Sequence, residues 1–139
     1  MLHFYEDTKG GKSYKSVAVR LDLDGKLNRI LSALSEGVNV GKKNIIEAIF
    51  NISIGNDEFF STFDPHKDWK PQVVYEGYCS VGVSIQLDAY LNFKITTLSR
   101  KAGINKKKLL ILVLDQFIES LPVLGKVRIS RSFLPKLTR

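Results

Sequence analysis

The stretch VAVRLDLD at residues 17–24 is answered by VGVSIQLD at residues 81–88. In the first, Val17, Val19, Leu21 and Leu23 alternate with Ala18, Arg20 and Asp22. In the second, Val81, Val83, Ile85 and Leu87 alternate with Gly82, Ser84 and Gln86. Successive side chains of an extended chain point to opposite faces, so each stretch is expected to be a strand with one buried, apolar face. Each ends on an aspartate, Asp24 or Asp88, whose carboxylate can accept hydrogen bonds from the unpaired amides of a first helical turn.

The correspondence continues outward. Residues 17–50 align with residues 81–114 at a constant offset of 64 without a gap, and ten of the 34 pairs are identical, among them Leu27/Leu91, Asn28/Asn92, Ser35/Ser99, Lys42/Lys106 and Lys43/Lys107. After each aspartate a first helix is expected, with Leu27, Ile30, Leu31 and Leu34 on one face in the first copy and Leu91, Ile95, Leu98 and Ala102 in the second. The turns EGVNVG and KAGIN end these helices, and second helices begin at Gly41 or Asn105. Ile45, Ile46, Ile49 and Phe50 form the apolar face of one. The other is longer, running through Leu109, Leu110, Val113, Leu114, Phe117, Ile118 and Leu121 to stop at Pro122. It is also apolar where its counterpart is not, because Ile111 and Leu112 replace Glu47 and Ala48. These two need cover, either from the connecting segment or from a second subunit or other protein partner.

A strand with two short helices is too small to bury a stabilising core alone. Two such units can pair their strands antiparallel into a ribbon lying on four helices, which makes the expected fold mainly α with a two-stranded antiparallel ribbon. The expected organisation is an N-terminal arm without firm structure (residues 1–15), a first strand-helix-helix unit (16–51), an aromatic-rich connector (52–79), a second unit (80–121) and a basic C-terminal segment (122–139). Phe59, Phe60, Phe63, Trp69, Tyr75 and Tyr78 are unusual content for a flexible linker, so the connector is expected to pack on the helices. Trp69 as a stacking platform for single-stranded nucleic acid is the second reading.

The order strand, aspartate cap, helix, glycine-containing turn and second helix resembles the ribbon-helix-helix DNA-binding superfamily of the Arc and MetJ type. Two copies in one chain, a tandem pseudo-dimer, resemble the TraY-like relaxosome accessory proteins of conjugative DNA transfer. The resemblance implies that the ribbon enters the major groove of double-stranded DNA, which admits a two-stranded β-ribbon. The residues opposite the buried face then become the base-contacting candidates: Ala18, Arg20 and Asp22 on one strand, Gly82, Ser84 and Gln86 on the other. Arg20 has the fork to bind guanine O6 and N7, and Gln86 can pair with adenine N6 and N7. Asp22 either accepts from cytosine or orients Arg20. The bland alternative is that these six are only the wet face of a sheet.

Phosphates are expected at the starts of the second helices, where free amides and the helix dipole favour an anion. Gly41, Lys42 and Lys43 stand there in one copy, and Asn105, Lys106, Lys107 and Lys108 in the other; solvated lysines are the alternative. Charge points the same way. The chain carries a formal +7, with 12 basic and 12 acidic residues up to position 100 and 9 basic against 2 acidic beyond it. Clustered lysine and arginine gain from counterion release on a polyanion. Within the C-terminal segment Lys126, Arg128 and Arg131 are candidate tail contacts along the DNA backbone, though the interleaved apolar residues could equally mark a protein-docking strip.

Other functions find little support. Cys79 is the single cysteine, which excludes an internal disulfide and a cysteine-rich zinc site, and His3 and His66 lack metal-ligand spacing. No phosphate-cradling glycine loop, nucleophile elbow or zinc-protease motif occurs, so no enzyme activity, cofactor or metal is expected. The longest uncharged run, the eleven residues 77–87, is far too short to span a bilayer, and with no secretory signal the expected location is cytoplasmic. Two functional classes stay open: a sequence-specific DNA-binding protein, acting as a transcriptional repressor or a plasmid or mobile-element accessory factor, and a protein-interaction module such as an antitoxin or relaxase-binding adaptor.

Overall fold

A computed structural model describes residues 5–7 and 12–120. In chain order they form strands β1 (Tyr5–Asp7), β2 (Lys12–Tyr14) and β3 (Val17–Leu23), helices α1 (Gly25–Val38), α2 (Lys42–Ser53) and α3 (Asp57–Thr62), strand β4 (Val81–Leu87), and helices α4 (Ala89–Ala102) and α5 (Lys106–Ser120). The architecture is mainly helical, with two separate two-stranded antiparallel sheets, β1–β2 and β3–β4.

The alternation seen in the sequence sets the packing of the β3–β4 ribbon. Its strands pair over their whole length, from Val17 opposite Leu87 to Leu23 opposite Val81. Leu21, Leu23, Ile85 and Leu87 are buried on one face, while Ala18, Arg20, Asp22, Gly82, Ser84 and Gln86 are all exposed on the other. The buried face lies on Leu27, Leu31 and Leu34 of α1, Ile45, Ile49 and Phe50 of α2, Leu91 and Ile95 of α4, and Leu109, Leu110, Val113 and Leu114 of α5, which form one apolar cluster.

Local chemistry bounds the helices. Asp24 accepts from the Leu27 amide at 2.9 Å and Asp88 from the Leu91 amide at 2.8 Å, each occupying one of the amides that a helix start leaves unpaired. At the other ends the chain turns through the left-handed region at Asn39 (φ 56°) and Gly103 (φ 71°), two residue types that tolerate it. Gly37, the glycine of EGVNVG, lies inside α1, and Asn39 makes the turn. The Ser35 hydroxyl then donates to the Val40 carbonyl at 2.6 Å and the Ser99 hydroxyl to the Ile104 carbonyl at 2.5 Å, tying each turn back to its helix.

Two regions carry more regular structure than periodicity suggested. In the N-terminal segment, expected as a loose arm, β1 and β2 pair antiparallel, and both lie against α4. Three-residue strands are too short for alternation to stand out. The connector contains α3, capped by the Asn56 carboxamide on the amides of Glu58 and Phe59, and a tight turn in which Tyr75 and Tyr78 exchange backbone hydrogen bonds of 2.9 and 2.8 Å around Glu76 (φ 47°) and Gly77 (φ 86°).

That connector packs on the helices. The rings of Phe59 and Phe117 meet edge-on with centroids 5.5 Å apart. Gln116 accepts from the Asp64 amide and donates to its carbonyl, and Trp69 lies half-buried against the core. Ile111 and Leu112, the pair that needed cover, are 6% and 1% exposed within the single chain. At the other edge of the connector, the Gly25 amide donates to the Gln72 carbonyl at 2.6 Å. A Cβ on Gly25 would stand within 2.7 Å of the Val73 and Tyr78 carbonyls, so only glycine admits the connector there.

Candidate nucleic-acid interface

The six exposed ribbon residues pair as Ala18 with Gln86, Arg20 with Ser84 and Asp22 with Gly82. The Arg20 and Asp22 side chains are 68% and 78% exposed, with Nε 3.6 Å from Oδ1. Such an exposed pair adds little to stability. The Arg20 guanidinium lies across the neighbouring strand, where a Cβ on Gly82 would stand 2.6 Å from Nε. Gln86, near the other end, donates its backbone N–H to Glu47 Oε2 of α2 at 2.8 Å. Its carboxamide stays exposed with the rest of the face.

The starts of α2 and α5 are built alike in one respect and differently in another. Lys42 Nζ donates to Asn28 Oδ1 at 2.8 Å, and Lys106 Nζ donates to Asn92 Oδ1 at the same distance. Each asparagine is buried in the first helix of its half. Its amide nitrogen donates to a backbone carbonyl just ahead of the opposite strand, Asn28 to Cys79 at 2.8 Å and Asn92 to Lys15 at 3.1 Å. A hydroxyl one turn on, Ser32 or Thr96, also donates to the same carboxamide oxygen. Buried polar groups stay buried only when satisfied in this way. Burial pushes the Lys106 ammonium below the ordinary lysine pKa, since the charged form loses water.

The caps of the two helices differ. Gly41 precedes α2 in extended conformation and supplies no side-chain cap, so nothing of its own covers those first amides. Asn105 Oδ1 accepts from the Lys108 amide at 2.8 Å, filling one position of the corresponding turn on α5. Lys43, Lys107 and Lys108 are exposed, and Lys43 Nζ lies 4.0 Å from Glu47 Oε2.

The fold thus gathers Ala18, Arg20, Asp22, Gly82, Ser84 and Gln86 on one exposed face. It divides the lysines into two that tether a second helix to the first, Lys42 and Lys106, and three that face solvent. Asn28 and Asn92 hold this arrangement together but were not among the candidates. Their identity in both copies, as polar residues beside an apolar stripe, was the available signal. Lys126, Arg128 and Arg131 lie outside the described residues.

Among the described residues, no group of three histidine, cysteine or acidic side chains could hold a metal ion, and no helix is long and apolar enough to cross a membrane. Cys79 is exposed and unpaired. Comparison with known proteins found no matching family model, no matching curated protein and no matching solved structure.

Proposed function

We propose that the protein is a sequence-specific double-stranded DNA-binding protein of the ribbon-helix-helix kind, with its two strand-helix-helix segments acting as a pseudo-dimer. The observation that carries this reading is the β3–β4 ribbon itself. One face is buried in the core, and the other offers Arg20, Ser84 and Gln86 to solvent. A two-stranded ribbon fits the major groove, where arginine and glutamine side chains have bidentate partners on guanine and adenine. Lys43, Lys107 and Lys108, together with the amides after Gly41, supply positive charge flanking the ribbon for phosphate oxygens. Arg20 faces Ser84, and Ala18 faces Gln86, so the two halves present different readers and the preferred site is asymmetric. A transcriptional repressor and a plasmid or mobile-element accessory factor are the roles such binding serves; no chemistry is performed.

One observation favours a second reading, a protein-interaction module. Val73 and Val74 are 61% and 64% exposed beside Tyr78, apolar side chains that a partner protein would cover. Selection of bound sequences from a random double-stranded DNA pool at about 150 mM salt, where non-specific binding has weakened, decides between the two. An asymmetric motif, relaxed at one position by Arg20→Ala and at another by Gln86→Ala, is the expected result. Recovery of no motif overturns the DNA reading.

A further inference from the structure

The outer face of the ribbon is uneven along its length. Ala18 faces Gln86 at one end, and Asp22 faces Gly82 at the other. Arg20, at the centre, leans to the Asp22–Gly82 end. Its Nε lies 3.6 Å from Asp22 Oδ1, and a Cβ on Gly82 would stand 2.6 Å from Nε and 2.7 Å from Cζ. A long side chain reaches a diagonal neighbour easily, and the missing side chain at residue 82 is what gives the guanidinium its place. Gln86 sits at the far end, with its backbone held by Glu47.

The flanking helices also differ. Glu47 of α2 reaches Gln86 and has Lys43 close by, while Lys42 is committed to Asn28, which donates to the Cys79 carbonyl just ahead of β4. α5 packs against β3. Isoleucine at position 111 takes the place of Glu47 there, and Lys107 and Lys108 have no acidic partner among the described residues.

We propose that these differences make the ribbon a directional reader: Gly82 and Asp22 position Arg20 on a guanine under their own end, while Gln86 takes an adenine in the other half. The inference rests on the ribbon being the face that contacts DNA. Gly82 and Gln86 are four residues apart on β4. That is about 13 Å of strand, close to the rise of four base pairs at about 3.4 Å each.

The protein carries its own probe of direction. Cys79, its single cysteine, is exposed and lies just beyond the Asp22–Gly82 end of the ribbon. A cleaving iron chelate attached to the Cys79 thiol of the full chain, bound to its selected site, is expected to cut the DNA beside the guanine. In parallel, Gly82→Thr places a strand-compatible side chain where the guanidinium lies. It is expected to lower the preference for guanine at that position about tenfold and to leave the adenine preference intact. Should Gly82→Thr fail to fold, Asp22→Asn removes the charge that holds Arg20 and is expected to weaken the same guanine preference. Cutting beside the adenine, equal cutting on both sides, or an unchanged guanine preference in a folded variant overturns the directional reading and leaves DNA binding standing. A wild-type protein that selects no motif overturns both.

Discussion

Arg20 and Ser84 lie directly opposite each other in the β3–β4 ribbon, and they are also 64 positions apart in the chain (84 − 20), the spacing that relates the two similar segments. The pairs on either side follow from this. Ala18 faces Gln86 and Asp22 faces Gly82, so exchanging the segments carries one pair onto the other. A ribbon made by two identical chains would place one residue opposite its own copy at this point. Here the position holds arginine on one strand and serine on the other, and whatever symmetry the backbone has is broken at its centre.

The buried asparagines should matter for stability in both halves. Asn92→Ala leaves the Lys15 carbonyl and the Lys106 ammonium without their partner, and Asn28→Ala does the same to Cys79 and Lys42. Each is expected to cost about 1–3 kcal/mol, read from urea unfolding. A loss below a few tenths of a kcal/mol in either variant would show that water replaces the carboxamide.

The two helix caps should be unequal. Asp24 accepts from the Leu27 amide and, with its other oxygen, from the Gln72 amide of the connector at 2.7 Å, whereas among the described residues the Asp88 carboxylate accepts from Leu91 alone. Asp88→Ala is expected to cost about 1 kcal/mol. Asp24→Ala should cost about 1 kcal/mol more, because a second, part-buried amide hydrogen bond is lost as well. Equal unfolding midpoints for the two variants would contradict this.

Asp115 is a charge that weighs on the fold. The residue is 8% exposed, and burial pushes its carboxyl above the ordinary aspartate pKa. Lys26 opposes that shift, and Glu119 reinforces it. The folded chain therefore holds this proton more tightly than the unfolded chain. The group's unfavourable contribution is fully present at neutral pH, shrinks as pH falls through the raised folded-state pKa, and is gone below the unfolded value near about 4. Asp115→Asn is expected to raise the thermal midpoint at pH 7, with the gain narrowing towards pH 4. A lower midpoint at pH 7 would show that the ionised carboxylate is stabilising.

Salt dependence should separate the two kinds of lysine. Lys107→Ala and Lys108→Ala remove solvent-facing charges and are each expected to reduce the slope of log K against log salt by about 1, with little change in stability. Lys106→Ala should instead destabilise the chain, because its ammonium is bound to Asn92. Titration of the selected DNA site at several salt concentrations, beside thermal melts of each variant, gives both readings. An unchanged slope in both Lys107→Ala and Lys108→Ala would remove them from the interface.

Much of this was legible in the chain because it depends on local chemistry. Period-two alternation marked β3 and β4, and an aspartate after each strand marked the helix starts. These signals involve neighbours in sequence, where burial on one face or a free amide imposes a residue type directly. The outward face of the ribbon followed from the same alternation.

What remained was decided by contacts between distant residues. The sequence left the cover of Ile111 and Leu112 open, and the tertiary structure buries them within the chain, with the connector docked beside them through Phe59 on Phe117 and Asp64 on Gln116. It pairs the short N-terminal strands and lays them against α4. It also turns Lys42 and Lys106 from solvent towards buried carboxamides, and draws Arg20 towards the strand position that has no side chain. Periodicity and capping residues report which groups need burial or a hydrogen bond. Which partner satisfies each is set only when segments far apart in the chain are brought within bonding distance.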